Sequence, residues 1–205
     1  EQALAEYRDA GGLLAGGLEL CELSRVDWQA GAVAQGVAHV RAALDAFTQA
    51  KAPPRAFAQA YAALAQLHLI DDPHAALEWG HRAWSDARAC GDLSTEISAL
   101  NAIGFVEVLH GGHENEAGWR RLAQALTLAR EHDHTMVAAR TYANLASLML
   151  VHRRFDALQA LCDEGLACTE AHDLDRSTAV LRIRLAAGDM EQGRWALARA
   201  ALLGL

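Results

Sequence analysis

The sequence predicts an all-α protein, a right-handed superhelical solenoid of antiparallel helical hairpins, and three observations predict it. Ala supplies 45 and Leu 30 of the 205 residues while Pro supplies only 3, a composition of good helix formers with few breakers. Pairs of a small residue followed by a large apolar one recur at Ala3-Leu4, Ala43-Leu44, Ala83-Trp84, Ala125-Leu126 and Gly165-Leu166, in steps of 40, 40, 42 and 40. An independent series reverses the order at Leu23-Ser24, Leu64-Ala65, Ile103-Gly104, Leu145-Ala146 and Leu185-Ala186, with steps of 41, 39, 42 and 40.

Each unit of about 40 residues therefore reads as a helix A, a short turn, a helix B and a polar break. The breaks fall at Gly11-Gly12, Pro53-Pro54, Gly91-Asp92, His132-Asp133 and His172-Asp173, where Gly ends a helix or Asp caps the next one. They place repeats at 12–52, 53–91, 92–132 and 133–172, with 1–11 the end of a preceding repeat and 173–205 a partial last one, all in a single domain. Asp72-Pro73 opens a helix B with a cap residue and a proline at the first turn, where the missing N–H costs nothing. Its apolar stripe is Ala76, Leu77, Gly80, Ala83, Trp84 and Ala87; the partner helix A carries Tyr61, Leu64, Ala65, His68 and Leu69 on one face. A third set, Gly36, Ala76, Gly118, Leu158 and Ala198, lies seven residues before the first and marks where helices must approach closely. The chain opens without Met, already in helical rhythm, and stops without a cap, so it reads as a segment of a longer protein.

Composition excludes several function classes. A formal charge of −8 argues against a surface that neutralises phosphates, so no direct nucleic-acid contact is expected. Lys51, the one lysine, lies in Ala50-Lys51-Ala52-Pro53-Pro54 with no phosphate-binding G-x-x-x-x-G-K-[ST] around it. The longest uncharged stretch, Ala56 to Ile70, is 15 residues long and holds Gln59, Gln66 and His68, too short and polar to span a bilayer. Cys21, Cys90, Cys162 and Cys168 form no C-x-x-C and read as reduced thiols, which makes cytoplasm the expected compartment.

The Leu64-Ala65 pair with Ala76 and Ala83 resembles the tetratricopeptide repeat. The departures are the period near 40 against about 34, Tyr61 and Thr141 where that motif has Trp, and a terminal proline present only as Pro53-Pro54. HEAT-like and armadillo repeats have similar lengths to the period seen here. The last third, through Thr141-Tyr142-Ala143-Asn144-Leu145-Ala146-Ser147, Arg153-Arg154-Phe155, Glu164-Gly165-Leu166, His172-Asp173-Leu174-Asp175-Arg176 and Gly193-Arg194-Trp195, resembles the helical-repeat region of large LuxR-type transcriptional regulators, those like the activator of maltose genes. That resemblance implies an ATPase module before the repeats, a helix-turn-helix after them, and a repeat region that takes up an inducer or regulatory protein.

In such a superhelix helix A forms the concave wall. Counting from the Leu-small anchors places Arg25, Trp28, Gln59, Gln66, Ser98, Asn101, Phe105, Val108, Arg140, Ser147 and Leu150 on it. The ligand-binding candidates are Arg25, Trp28, Gln59, Gln66, Asn101, Phe105, Arg140 and Ser147, amides and arginines interleaved with aromatic rings, suited to a peptide, a protein segment or a small polar effector such as a sugar. The alternative is an ordinary solvated helix face. Trp84, Trp119 and Trp195 fall at packing phases, leaving Trp28 on the groove side. His110, His113, His132, His134 and His172 lack the spacing of a zinc site, so no metal, cofactor or catalytic residue is expected. The insertion His110-Gly111-Gly112-His113-Glu114-Asn115-Glu116 lengthens one turn and serves equally as contact point or tolerated loop. Arg120-Arg121, Arg153-Arg154 and Arg182 with Arg184 have acidic neighbours and read as solvated or ion-paired rather than as nucleic-acid contacts. The sequence thus points to a non-catalytic sensor domain of a regulator, or to a scaffold joining protein partners without a small effector. Self-association is left open.

Overall fold

The computed structural model describes residues 2–112 and 114–203, with side chains described from residue 11 onward except that of His113. Ten α-helices and no strands are found among the described residues. They are α1 (Gln2–Ala30), α2 (Val33–Gln49), α3 (Pro54–Leu67), α4 (Pro73–Cys90), α5 (Leu93–Gly111), α6 (Glu116–Glu131), α7 (Thr135–Val151), α8 (Phe155–Glu170), α9 (Asp175–Glu191) and α10 (Trp195–Leu203). The chain divides into two compact units, Glu1–Val106 and Glu107–Leu205, with the division falling inside α5.

In the first unit α1 packs on α2, α3 on α4, α2 on α3, and α1 also meets α3. Its core joins Val40, Ala43 and Phe47 of α2 to Ala56, Ala60, Leu64 and Leu67 of α3. Each of the large side chains contributes about 1.5–3 kcal/mol by leaving water. Beside this core Tyr61 stacks on Trp79 with ring centroids 5.4 Å apart, and the Arg82 guanidinium lies 4.1 Å from the Tyr61 centroid. In the second unit α7 packs on α8, α8 on α9, α9 on α10, and α7 also meets α9. Tyr142 and Ala146 of α7, Leu158 and Cys162 of α8 and Leu181 of α9 form its core.

The small residues of all three recurring series are buried wherever side chains are described, including Ser24, Gly36, Ala43, Ala65, Ala83, Gly104, Ala125, Ala146, Gly165, Ala186 and Ala198; Ala3 lies outside the described side chains. A Cβ on Gly80 would come 2.8 Å from Ile103 Cγ1, and one on Gly165 would come 2.8 Å from Leu181 Cδ1 and 3.1 Å from Tyr142 Cγ. Helices approach here so closely that an added Cβ would force a side chain of the neighbouring helix to shift.

Three local expectations are corrected. Gly11-Gly12 does not break the chain: both residues lie inside α1, which runs on to Ala30 and ends at Gly31 with φ +77°. Glycine weakens a helix by only about 1 kcal/mol, whereas a left-handed residue ends one. Asp133 and Asp173 do not cap the helices that follow, whose N-cap residues are His134 and Leu174. They are left-handed, at φ +56° and +53°, like Lys51 and Arg153 and like Gly31, Gly91 and Gly193. After each of these seven residues the next N–H donates to the carbonyl five positions back, as in Asp92 to Ala87 and His134 to Ala129, the closure that ends helices at a left-handed position. Asp tolerates that conformation better than most side chains, which hides the turn type from a reading by capping. Trp195 does not pack; it is exposed at the start of α10. Asp72 does cap α4, accepting from the Ala75 N–H at 3.0 Å, and Asn115 caps α6 through Gly118.

Ala83→Glu and Ala125→Glu should each lower the midpoint of thermal unfolding, with a loss of at least about 1–3 kcal/mol from overpacking. Glutamates introduced nearby at the exposed positions Ser85 and Thr127 serve as controls, and equal midpoints for buried and control variants would contradict the close-approach assignment.

Candidate functional site

The eight predicted binding residues separate into four groups. Trp28 leaves the groove: half-buried, it packs against the core of α2 and α3 because its ring has apolar neighbours there. Phe105 is buried in α5, as is Val108. Asn101 is 1% exposed, and neither of its side-chain polar atoms has a hydrogen-bond partner. Arg25 is exposed and paired with Glu22 one turn earlier on α1.

Gln59 and Gln66 lie half-buried on α3, but Gln59 is occupied. Its Nε2 donates at 3.1 Å to Asp92 Oδ2, which also accepts from Arg55 Nε at 3.0 Å and Thr95 Oγ1 at 2.8 Å. Asp92 Oδ1 accepts from the Thr95 N–H, capping α5. Burial works to raise the Asp92 pKa, yet the two Thr95 hydrogen bonds, the Arg55 charge and the Gln59 amide together outweigh it and hold the carboxyl below its ordinary value. This cluster fastens α3 to the start of α5 and is structural. Gln66 differs, because its Nε2 is buried and makes no hydrogen bond.

Arg140 and Ser147 remain together. With Asn144 they occupy positions i, i+7 and i+4 of α7, one helical face, and all three are half-buried. Ser147 Oγ donates to the Ala143 carbonyl at 2.8 Å and accepts from Arg184 Nε of α9 at 2.9 Å. Asn144 Nδ2 is buried and unbonded. A buried amide group without a partner costs about 1–3 kcal/mol, and this one lies on the helix face that also carries Arg140 and the Ser147–Arg184 pair. The face brings the polar groups of Arg140, Asn144 and Ser147 together with Arg184 of α9, and no nucleophile paired with a base is part of it.

Arg55, Asp92, Thr95, Asn144 and Arg184 were missed as participants. Asn144 was within reach, since it stands four residues after Arg140 on the same face. Arg184 was seen only as one of a basic pair, and its role depends on the register of α9 against α7. From the basic pairs, Arg121 joins Glu107 at 2.5 Å, Arg153 joins Glu191 at 3.0 Å and Arg182 joins Glu170 at 2.9 Å, with partners 14, 38 and 12 residues away. Among the described residues no group of three or more His, Cys, Asp or Glu side chains could hold a metal ion; His113 lies outside them. The four cysteines are free, and burial pushes the Cys21 thiol up to about 11 and Cys162 up to about 12. No helix is long and apolar enough to cross a membrane among those described.

No protein-family model and no curated protein sequence matches the chain. Among solved structures it is similar to BtubC (BKLC) from P. vanneervenii, with a TM-score of 0.61 and 18% sequence identity, over 97% of this chain and 88% of that one. This is a helical-repeat fold. At that identity the likeness concerns the fold alone.

Asp92→Asn should destabilise the protein at pH 7 by about 1.5–3 kcal/mol, the range for a hydrogen bond to a charged group. The native carboxyl has a lowered pKa, so its contribution is present above the unfolded value near 3.9 and disappears as pH falls through the folded value. Urea unfolding at pH 7 and pH 3 should therefore show a difference between wild type and Asp92→Asn that shrinks in acid. A pH-independent difference would remove the charge from the account.

Proposed function

We propose that the chain is a non-catalytic binding domain, whose hairpins follow one another within each unit as a right-handed superhelix with a repeat near 40 residues. The starts of α2, α4, α6, α8 and α10 at Val33, Pro73, Glu116, Phe155 and Trp195 support that register. The single observation carrying the binding reading is the α7 face, where the buried unbonded Asn144 amide stands between Arg140 and the Ser147–Arg184 pair. Its donors suit a small polar effector or a peptide backbone.

The resemblance of residues 141–195 to LuxR-type regulators supports placing the domain in a cytoplasmic ATP-dependent transcriptional regulator. There the ligand would act by population shift, binding one arrangement of the hairpins better than another. A Walker A motif encoded upstream and a helix-turn-helix downstream would establish the assignment, and their absence would remove it. The exposed apolar residues Trp195, Leu197 and Leu203 favour the second reading, a scaffold that joins proteins without a small effector.

Thermal-shift screening of peptides and sugars tests the site. A ligand at a hundred times its dissociation constant should stabilise wild type by about 2.7 kcal/mol. Arg140→Ala and Asn144→Leu should keep the helical circular dichroism and lose the shift. Asn144→Leu should also leave the free protein as stable or up to about 1 kcal/mol more stable, because it removes an unpaired buried donor. A ligand response unchanged in both variants would rule out the α7 face.

A further inference from the structure

The ligand face on α7 has a neighbour in register on α9. Asn144 and Arg184 each stand one residue before a Leu-small pair, Leu145-Ala146 and Leu185-Ala186, so they are equivalent positions 40 residues apart on two helices that pack together. On α9 the residues Ser177, Val180, Arg184 and Ala187 share one side at helical spacing, all half-buried, and Arg184 is the charged member. Its Nε donates to Ser147 Oγ at 2.9 Å, which ties the two faces together.

Charge on this pair of helices is one-sided. The protein carries −8 overall, yet α7 contains no Asp or Glu and contributes Arg140. On α9 Asp175 is the first residue, Asp189 pairs with Arg194 and Glu191 pairs with Arg153. Arg130, Arg153, Arg182 and Arg194 of the second unit each meet a carboxylate. Arg184 meets a hydroxyl instead, its one bond among the described residues. A neutral hydroxyl fixes the guanidinium without cancelling its charge. With Nε engaged, the two terminal nitrogens keep the end-on fork that matches the oxygens of an anion. A half-buried charge gains more from such a partner than one fully in water.

We propose that the α7 face takes an anion, a small effector bearing a carboxylate or phosphate group whose oxygens bind the terminal nitrogens of Arg184 end-on. Arg184 makes the site prefer a charged ligand to a neutral one, and Ser147 positions it. The inference rests on the binding reading of the α7 face and names the class of ligand that face accepts.

Titration calorimetry of the 205-residue chain with two matched pairs of probes tests it, succinate against succinamide and glycerol phosphate against glycerol. The charged member of at least one pair should bind more tightly than its neutral member, and added salt should weaken it by screening. The pair that responds identifies the anion. Arg184→Gln should raise the dissociation constant about tenfold or more, the worth of one charge-assisted hydrogen bond. Arg184→Lys keeps the charge but loses the planar fork, so its affinity should fall between the two. Circular dichroism checks that both variants remain helical, and the lysine variant reads the same preference if the glutamine variant does not fold. Charged probes that bind no better than their neutral partners, or a preference unchanged by either substitution, would overturn the proposal. Peptides or sugars whose stabilisation is lost in Arg140→Ala and Asn144→Leu would then still uphold the α7 face, so the two readings fail separately.

Discussion

Close approach between helices is the constraint on which the rest depends. Gly36, Gly80 and Gly165 stand where an added Cβ would come within 3 Å of a neighbouring helix's Leu or Ile side chain. Ala43, Ala83 and Ala125 are fully buried along the same helix faces. Small side chains at these points let the large ones of the facing helix seat fully, and well-packed interiors respond to a change of even one methylene. The polar clusters depend on the same spacing. Asp92 collects Arg55, Gln59 and Thr95 only because α3 and the start of α5 are held within hydrogen-bond reach.

Polar side chains divide into those the packing has used and those it has left over. Asp92, Gln59 and Arg55 satisfy one another, and Thr178 and Thr169 share a buried hydroxyl bond of 2.8 Å between α9 and α8. Gln66, Asn101 and Asn144 carry buried atoms that bond nothing. Asn101 is buried as a whole residue, whereas Asn144 is half-buried on the α7 face although its Nδ2 is covered.

Helix content and the burial of the small residues were legible in the sequence because both follow from local spacing, and a position 40 residues on sees the same kind of neighbour. That spacing also puts Arg140 and Ser147 on one face of α7, where they stand. Trp28 was misplaced because a helical phase identifies a direction but not what stands there, and α2 supplies apolar neighbours on that side. Gln59 was assigned to a ligand because the carboxylate that claims it lies 33 residues away in sequence. Arg184 could not be connected to Ser147 without the register of α9 on α7. Gly11-Gly12 and the two His-Asp dipeptides misled for a different reason: residue identity was read as turn geometry, and the backbone chose differently.

Seven turns close by the same main-chain hydrogen bond, yet the residue at the left-handed position is Gly in three, Asp in two, Lys in one and Arg in one. The corner is thus held by atoms that every amino acid except proline possesses. The closing bond survives differences in charge and size from Lys51 to Asp133, while any side chain set in place of glycine at such a vertex carries the strain of an L residue held left-handed.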